Sequence, residues 1–258
     1  MMKRFSILKV GFCIVVAACS SPHEKQRFAL KDAAWHTYTS GEYLRYQFVG
    51  VNNDGTPLSG DWITRWQTVR LPLPIPSPVP VELMRISNTI ATYNLAPWIT
   101  NYYVRPDQEF TTLFGFQQEG VPTVLYLRDS NNTYGVPMYP ASFAAGATQA
   151  LSSLSLTTCN DNLCTESNNG FGTVGYQYSG IQETVETPYG YFECYRLTFN
   201  QNYLVAGASY PPLMNGTVWV YPPLGMVKAR MNYTDAATGK SYTYDSISLV
   251  ETNIKFSQ

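Results

Sequence analysis

Histidine is scarce in this chain, which has only two, His23 and His36, in 258 residues. Many nucleophilic and general-base mechanisms depend on an imidazole. A Ser-His-Asp hydrolase would have to use His36, yet no Gly-x-Ser-x-Gly motif accompanies it. Glycine-rich phosphate loops are also absent. We therefore predict no catalytic residues and no cofactor, and we interpret His36 as a partly exposed residue at the start of a strand.

Charge is also sparse, since Asp, Glu, Lys and Arg together make up 14% of the residues. Phosphate binding requires clustered Lys and Arg. The sequence has no such cluster, which argues against a nucleic-acid partner. The second half of the chain contains no histidine, and its three cysteines are too few for a structural zinc site. We predict no metal.

Long apolar stretches with helical periodicity are missing too, whereas aromatic residues are abundant. The chain has 20 Tyr, 12 Phe and 5 Trp, which suit a pleated, half-buried surface. It also has 18 Gly and 17 Pro at short intervals, as a fold with many turns requires. We predict an all-β fold with little helix: a large curved antiparallel sheet or an open or half barrel, or two packed sheets.

The predicted strands lie between these glycine and proline residues along the chain. A hairpin at 235–240 should join the last two strands, and residues 140–150 could form one short helix or a loop. Pro72 to Pro80 carry proline at every second position, which indicates extended polyproline-like backbone at an edge or in a loop. The strand candidates are 43–49, 61–71, 81–93, 98–104, 110–116, 121–128, 172–178, 181–187, 191–199, 203–206, 217–221, 226–232 and 241–251.

The N-terminus carries a motif of its own. Lys3, Arg4 and Lys9 precede a short apolar run, and the run ends in Val16-Ala17-Ala18-Cys19. The apolar run is too short to span a bilayer, and with its positive flank it indicates a secretory signal. The segment 16–19 resembles the lipobox of bacterial lipoprotein signal peptides, which implies cleavage before Cys19 and lipidation of that cysteine.

Residues 1–18 would then be the signal peptide, 19–33 a lipid-anchored tether, and 34–258 a single β domain, with two half-sheets at 34–138 and 139–258 as one option. Removal of the signal leaves 240 residues, with 14 Lys and Arg against 18 Asp and Glu. Ser20 stands where an Asp would favour inner-membrane retention. We therefore expect a lipid anchor in the bacterial outer membrane, on the periplasmic side rather than the cell surface.

Three cysteines remain in the mature chain. Cys159 and Cys164 are separated by four residues in a polar stretch, which favours a local disulfide. Cys194 lies within a predicted strand, and we interpret it as a buried small hydrophobe, with pairing to a loop cysteine as the alternative.

The second half carries a further resemblance. Pro188 to Leu197, followed by Gly216 to Lys228, is similar to a pattern of uncharacterised bacterial envelope proteins, "P-x-G-x-F-x-C/A-Y" and then "W-x-x-P-x-x-G-x-V-K". The resemblance implies a curved antiparallel sheet like those of periplasmic lipoprotein carriers. Such folds can hold an acyl chain or a protein segment.

Function could rest on aromatic side chains, because exposed Tyr and Trp bind sugars and proteins. The alternative is that these residues only fill the sheet. We predict a non-enzymatic lipoprotein that binds an envelope protein, a glycan or a lipid. A lipid or lipoprotein carrier is the first alternative. A glycan hydrolase using two of the six acids Glu42, Asp54, Asp61, Glu183, Glu186 and Glu193 is the second. The candidate aromatic surface comprises Tyr176, Tyr178, Tyr191, Trp219 and Tyr242.

Overall fold

A computed structural model describes the chain over eleven ranges and contains only strands as regular elements within them. The described ranges are 25–30, 36–71, 81–92, 98–106, 110–118, 124–128, 136–140, 148–159, 167–205, 213–234 and 239–256. The predicted signal peptide (1–18), Cys19 and the proline run 72–80 lie outside them. Within them, no helix has the length and apolar character that a membrane span requires.

Within the described ranges, fourteen strands form one sheet. They are β1 (Arg27–Phe28), β2 (Tyr43–Asn52), β3 (Pro57–Leu71), β4 (Val81–Thr92), β5 (Trp98–Pro106), β6 (Phe110–Gln118), β7 (Val124–Arg128), β8 (Val136–Pro140), β9 (Thr148–Cys159), β10 (Ser167–Glu186), β11 (Tyr191–Val205), β12 (Leu213–Tyr221), β13 (Gly225–Thr234) and β14 (Ser241–Thr252).

The strand order is β1-β11-β10-β9-β7-β6-β5-β4-β3-β2-β14-β13-β12, and β8 pairs with β6. Every pairing is antiparallel except that of β1 with β11. Strand β12 also pairs with β11, from Tyr195↔Val220 to Asn202↔Leu213. The path of paired strands therefore returns on itself, which requires the sheet to curve. The prediction of an all-β fold with a curved antiparallel sheet is confirmed.

One face of this sheet is buried. In β2 the buried residues alternate as Leu44, Tyr46 and Phe48, the period of two expected of a half-buried strand. Fully buried residues of β11, β13 and β14, among them Phe192 and Leu249, belong to the same core cluster. The core of the described part therefore lies on one face of the sheet, and β2, β11, β13 and β14 contribute most of its fully buried side chains.

Several predicted elements differ in extent from those observed. The strands predicted at 172–178 and 181–187 are one strand, β10, whose register shifts between Tyr178 and Gln182. Ser179 and Gly180 mark this irregularity, since glycine suits a bulge as well as a turn. The candidates 191–199 and 203–206 both belong to β11.

The stretch predicted as a short helix or loop, 140–150, overlaps two strands instead, β8 and β9. Its central residues, 141–147, lie outside the described ranges. The predicted pairing of the last two strands is confirmed, because β13 pairs with β14 from Lys228↔Ser248 to Thr234↔Ser241.

Candidate functional site at the end of the sheet that receives the N-terminal segment

The first described residues, 25–30, contribute a strand to the sheet and are not a free segment that precedes it. Strand β1 runs parallel to β11, with Arg27 beside Tyr191 and Phe28 beside Phe192. The Tyr191 amide donates to the Gln26 carbonyl at 2.9 Å. Residues 25–30 lie in the predicted tether 19–33, so this part of the tether is packed against the domain. We call this the proximal end of the sheet, defined by 25–28, the turn 187–190, the turn 221–225 and residues 254–256.

Phe28 fixes β1 in place through an aromatic cluster. Its side chain is 4% exposed. Its ring stacks on Phe192 with centroids 4.5 Å apart, and it also lies 5.3 Å from Phe256 and 5.9 Å from Tyr189. Tyr221 completes the cluster at 6.2 Å. Because full burial of a Phe side chain contributes about 1.5–3 kcal/mol, this residue accounts for much of the attachment of β1.

Gly190 makes the close approach of β1 possible. A Cβ on Gly190 would lie 2.7 Å from the Gln26 carbonyl oxygen and 2.8 Å from Phe28 Cε2. Both distances are far below ordinary van der Waals contact. A side chain at this position would push the N-terminal strand away.

Charged groups hold the chain just before β1. Lys25 Nζ donates to Glu186 Oε1 at 2.6 Å and to the Thr187 carbonyl at 3.2 Å. The hydrogen bond from Lys25 lowers the pKa of Glu186. The cations of Lys25 and Arg27 lie 5.9 Å and 5.6 Å from the Tyr191 ring centroid, within the distance of a cation–π contact. The predicted aromatic-surface residue Tyr191 is therefore already contacted by the chain's own N-terminal segment.

Residues 36–42 cross the same end of the sheet. The His36 amide donates to the Pro222 carbonyl, and the Tyr38 hydroxyl donates to the Leu224 carbonyl at 2.9 Å. The Tyr38 ring lies flat on Trp66 of β3, with centroids 4.0 Å apart. The segment thus ties the β12–β13 turn to β3 across the strands between them.

His36 has a structural partner in this segment. Its Nε2 lies 3.0 Å from both carboxylate oxygens of Glu42. One of these oxygens also accepts the Thr39 amide at 2.7 Å. Both side chains are mostly buried, at 20% and 17% exposed. The arrangement closes a local turn.

The five predicted aromatic-surface residues do not converge on one point of the sheet. Tyr176 and Tyr178 lie on β10, opposite Phe199 and Leu197. Trp219 lies on β12, and its Nε1 donates to Glu183 at 2.9 Å. The remaining two residues occupy opposite ends: Tyr191 is at the proximal end, and Tyr242 of β14 lies beside Tyr233 with ring centroids 6.1 Å apart.

The predicted acids each have a partner within the domain. Glu183 pairs with Arg196 at 2.7 Å, Glu186 with Lys25, and Asp61 with Arg45 at 3.2 Å. The remaining three accept hydrogen bonds: Glu193 from the Leu30 amide, Glu42 from the Thr39 amide, and Asp54 from the Thr56 amide. These partners give all six acids a role in holding segments together.

Cys194 is fully buried, as predicted, and it is free rather than paired with a loop cysteine. Burial raises the pKa of its thiol, with the nearby Glu183 carboxylate as the second cause. The thiolate is the reactive form of cysteine, so this thiol is held unreactive. Cys159 ends β9, and Cys164 lies outside the described ranges, so their disulfide stays a prediction. In the described part of the chain, no three His, Cys, Asp or Glu side chains are grouped as a metal site would need.

Comparison with known proteins gives structural likenesses only. No protein-family model matches the chain, and no curated protein matches its sequence. An exported protein of Bacteroides fragilis, provisionally so described and with a YmcC-like fold, is 12% identical, covers 84% of this chain and 99% of its own, and has a TM-score of 0.41. A provisionally described lipoprotein of Parabacteroides distasonis is 15% identical, with 86% and 100% coverage and a TM-score of 0.39. At identities and TM-scores this low, neither likeness carries an inference about this chain.

The sequence analysis missed two features of the site. One is β1, whose only local signal is the short apolar run Phe28-Ala29-Leu30 after a run of polar residues. The other is a polar network on β2, β3 and β14: Arg45 lies between Glu251 and Asp61, and the Tyr43 hydroxyl donates to Glu251. Glu251 lies 208 residues after Tyr43 and 206 after Arg45, so no local sequence pattern predicts its part in the network.

Proposed function

We propose that this chain is a lipid-anchored envelope protein of the bacterial outer membrane, on the periplasmic side. Its aromatic-rich β domain would bind a protein, glycan or lipid partner without catalysing a reaction. The observation that carries the proposal is β1. The segment that follows the predicted lipidation site, Cys19, is built into the sheet through Phe28 and its pairing with β11. An N-terminal lipid would therefore hold a folded domain closely.

The contacts of the six predicted acids favour binding over hydrolysis. A retaining glycosidase needs two carboxyl groups about 5–5.5 Å apart that face the substrate. Here Glu183, Glu186 and Asp61 are engaged by Arg196, Lys25 and Arg45. Their charges serve the packing of the domain.

The packing of β2 and its neighbours does not favour the carrier alternative. A lipid carrier needs an open apolar cavity, as ligand sites in β folds generally do. The buried face of β2 and β14 is covered by large side chains of the domain itself, including Tyr46, Phe48 and Ile247. Partner binding through the exposed parts of the sheet is therefore our leading interpretation.

The anchor can be tested on the protein made in its bacterial host. After denaturation and trypsin digestion, the wild type should yield the peptide 19–25 with lipid on Cys19. A Cys19→Ala form should accumulate as an unprocessed precursor without lipid, because lipidation precedes cleavage at a lipobox. Lipid on the Cys19→Ala form, or a wild type cleaved elsewhere and free of lipid, would contradict the anchor.

The binding role can be tested by mild crosslinking in intact cells. We expect a discrete crosslinked species that Tyr242→Ala weakens several-fold. Ser241→Ala serves as the matched control, because Ser241 is the exposed neighbour of Tyr242 on the same strand. If alanine at none of the five aromatic-surface positions changes the yield, the aromatic binding surface is wrong.

A further inference from the structure

We infer that the domain is held upright on the membrane, with its proximal end against the lipid headgroups and the turn 52–57 pointing away. This inference rests on the proposed lipid anchor at Cys19 and adds the orientation and the contact surface. It uses the length of chain between Cys19 and the first described residue, Lys25.

The covalent reach of that chain is short. Lys25 is held by Glu186 and the Thr187 carbonyl, and β1 begins two residues later. Lys25 is the sixth residue after Cys19, and fully extended chain spans at most about 3.3–3.6 Å per residue, so over these six residues Lys25 lies within about 20 Å of the lipidated cysteine. The tether is much shorter than the range 19–33 would give.

The domain is longer than this reach. Strand β2 runs for ten residues, from Tyr43 at the proximal end to Asn52 at the opposite turn. At about 3.3–3.4 Å per residue, the strand extends for about 30 Å. An inverted domain would need a tether that runs this whole length, which the six residues cannot do.

The exposed surface around the attachment point suits lipid headgroups. Arg27 and Lys255 are exposed there, and Pro188 projects from the turn between β10 and β11. Lys228 lies close by and donates to the Glu186 carbonyl. Cations next to a bilayer are attracted to anionic headgroups over about a Debye length. The partner of this surface is therefore the leaflet that holds the acyl chains of Cys19.

The test measures which end of the domain lies near lipid. The full lipidated protein, with Cys159 and Cys164 replaced by serine, receives one labelling cysteine at either Pro188 or Thr56. Cys194 is buried and should not react. Each form is reconstituted into phosphatidylethanolamine–phosphatidylglycerol vesicles whose headgroups carry a nitroxide quencher.

We expect the fluorophore at position 188 to be quenched several-fold more strongly than that at position 56. Equal or reversed quenching would overturn the inference. Where Pro188→Cys fails to fold by circular dichroism, Lys255→Cys replaces it, because Lys255 is exposed at the same end.

A longer tether tests whether the short chain between Cys19 and Lys25 causes the orientation. A Gly/Ser insertion of about 20 residues between Ser21 and Pro22 adds about 25 Å of root-mean-square reach, and it should reduce the contrast between the two labels. An unchanged contrast would overturn the tether as the cause of the orientation.

An unlipidated form starting at Ser20 distinguishes the proposed lipid anchor from the inferred orientation. If that form binds the vesicles as tightly as the wild type, the lipid anchor itself is wrong, whereas loss of contrast in an anchored protein contradicts the orientation alone.

Discussion

A single added methyl group at Gly190 should detach β1 from the sheet. In Gly190→Ala the new Cβ would sit 2.7 Å from the Gln26 carbonyl oxygen and 2.8 Å from Phe28 Cε2. Ordinary contacts between carbon atoms are about 3.5–4.0 Å, so β1 has to move by about 1 Å or leave. Gly190 is not among the glycines with positive φ, so the effect comes from contact and not from backbone strain.

The loss of stability in Gly190→Ala has an upper bound, because β1 can detach from the sheet without unfolding the rest of the domain. Overpacking typically costs about 1–3 kcal/mol. Loss of Phe28 burial costs about 1.5–3 kcal/mol. We therefore expect Gly190→Ala to lower the free energy of unfolding by about 1–3 kcal/mol, and to release the N-terminal segment.

Limited trypsin digestion of the folded protein measures this release, because trypsin cleaves after Lys25 and Arg27. Cleavage at these two sites should be several-fold faster in Gly190→Ala than in the wild type. Gly55→Ala is the matched control. Gly55 has φ of 82° and no atom within 4 Å of its would-be Cβ, so only strain of about 1–2 kcal/mol is expected there. Equal cleavage rates in Gly190→Ala and the wild type would refute the contact between Gly190 and β1.

Three further outcomes follow from the contacts. Phe28→Ala should lower the free energy of unfolding in urea by about 1.5–3 kcal/mol, with little added cavity cost because β1 can move away. The hydrogen bond from Tyr43, followed by that from Arg45, lowers the pKa of Glu251 below 4.5. The stability that Glu251 adds is therefore present above about pH 4.5 and is lost as pH falls through its folded pKa, so the wild type and Glu251→Gln should converge in acid urea titrations; a constant difference would contradict this. Burial raises the pKa of Tyr244 to about 12 from 10.0, so its stabilising effect is full below pH 10 and declines towards pH 12; the wild type should lose about 2 kcal/mol over this interval that Tyr244→Phe does not lose.

Local patterns predict the strands of this fold well where one face is buried. In β2, Leu44, Tyr46 and Phe48 alternate with polar residues, and this period alone gives the strand and its buried face. The β13–β14 hairpin was predictable for a similar reason, since a turn-forming segment separates two such strands. The errors in the predicted strand bounds concentrate at bulges. Ser179-Gly180 in β10 has the composition of a turn, whereas pairing with β11 before and after this segment carries the backbone through.

The site was less predictable because distant residues build it. Strand β1 has two residues, and no propensity scale assigns a strand to so short a segment. What fixes it is pairing with a strand more than 160 positions later and the space that Gly190 leaves for Phe28. The stack of Tyr38 on Trp66 has the same character: each residue is an ordinary core aromatic in the sequence, and only the crossing of 36–42 brings them together.

Because of the position of β1, the residues of the predicted aromatic surface differ in how accessible they are to a partner. Tyr191 lies at the proximal end, where Lys25 and Arg27 already contact its ring. Under the proposed orientation this end faces lipid, so a soluble or periplasmic partner would have to approach elsewhere. Tyr242 begins β14 at the opposite end and stacks with Tyr233. Under the proposal, a lipid anchor joined to the sheet through so short a chain would do more than retain the domain, because it would determine which aromatic residues a partner can reach.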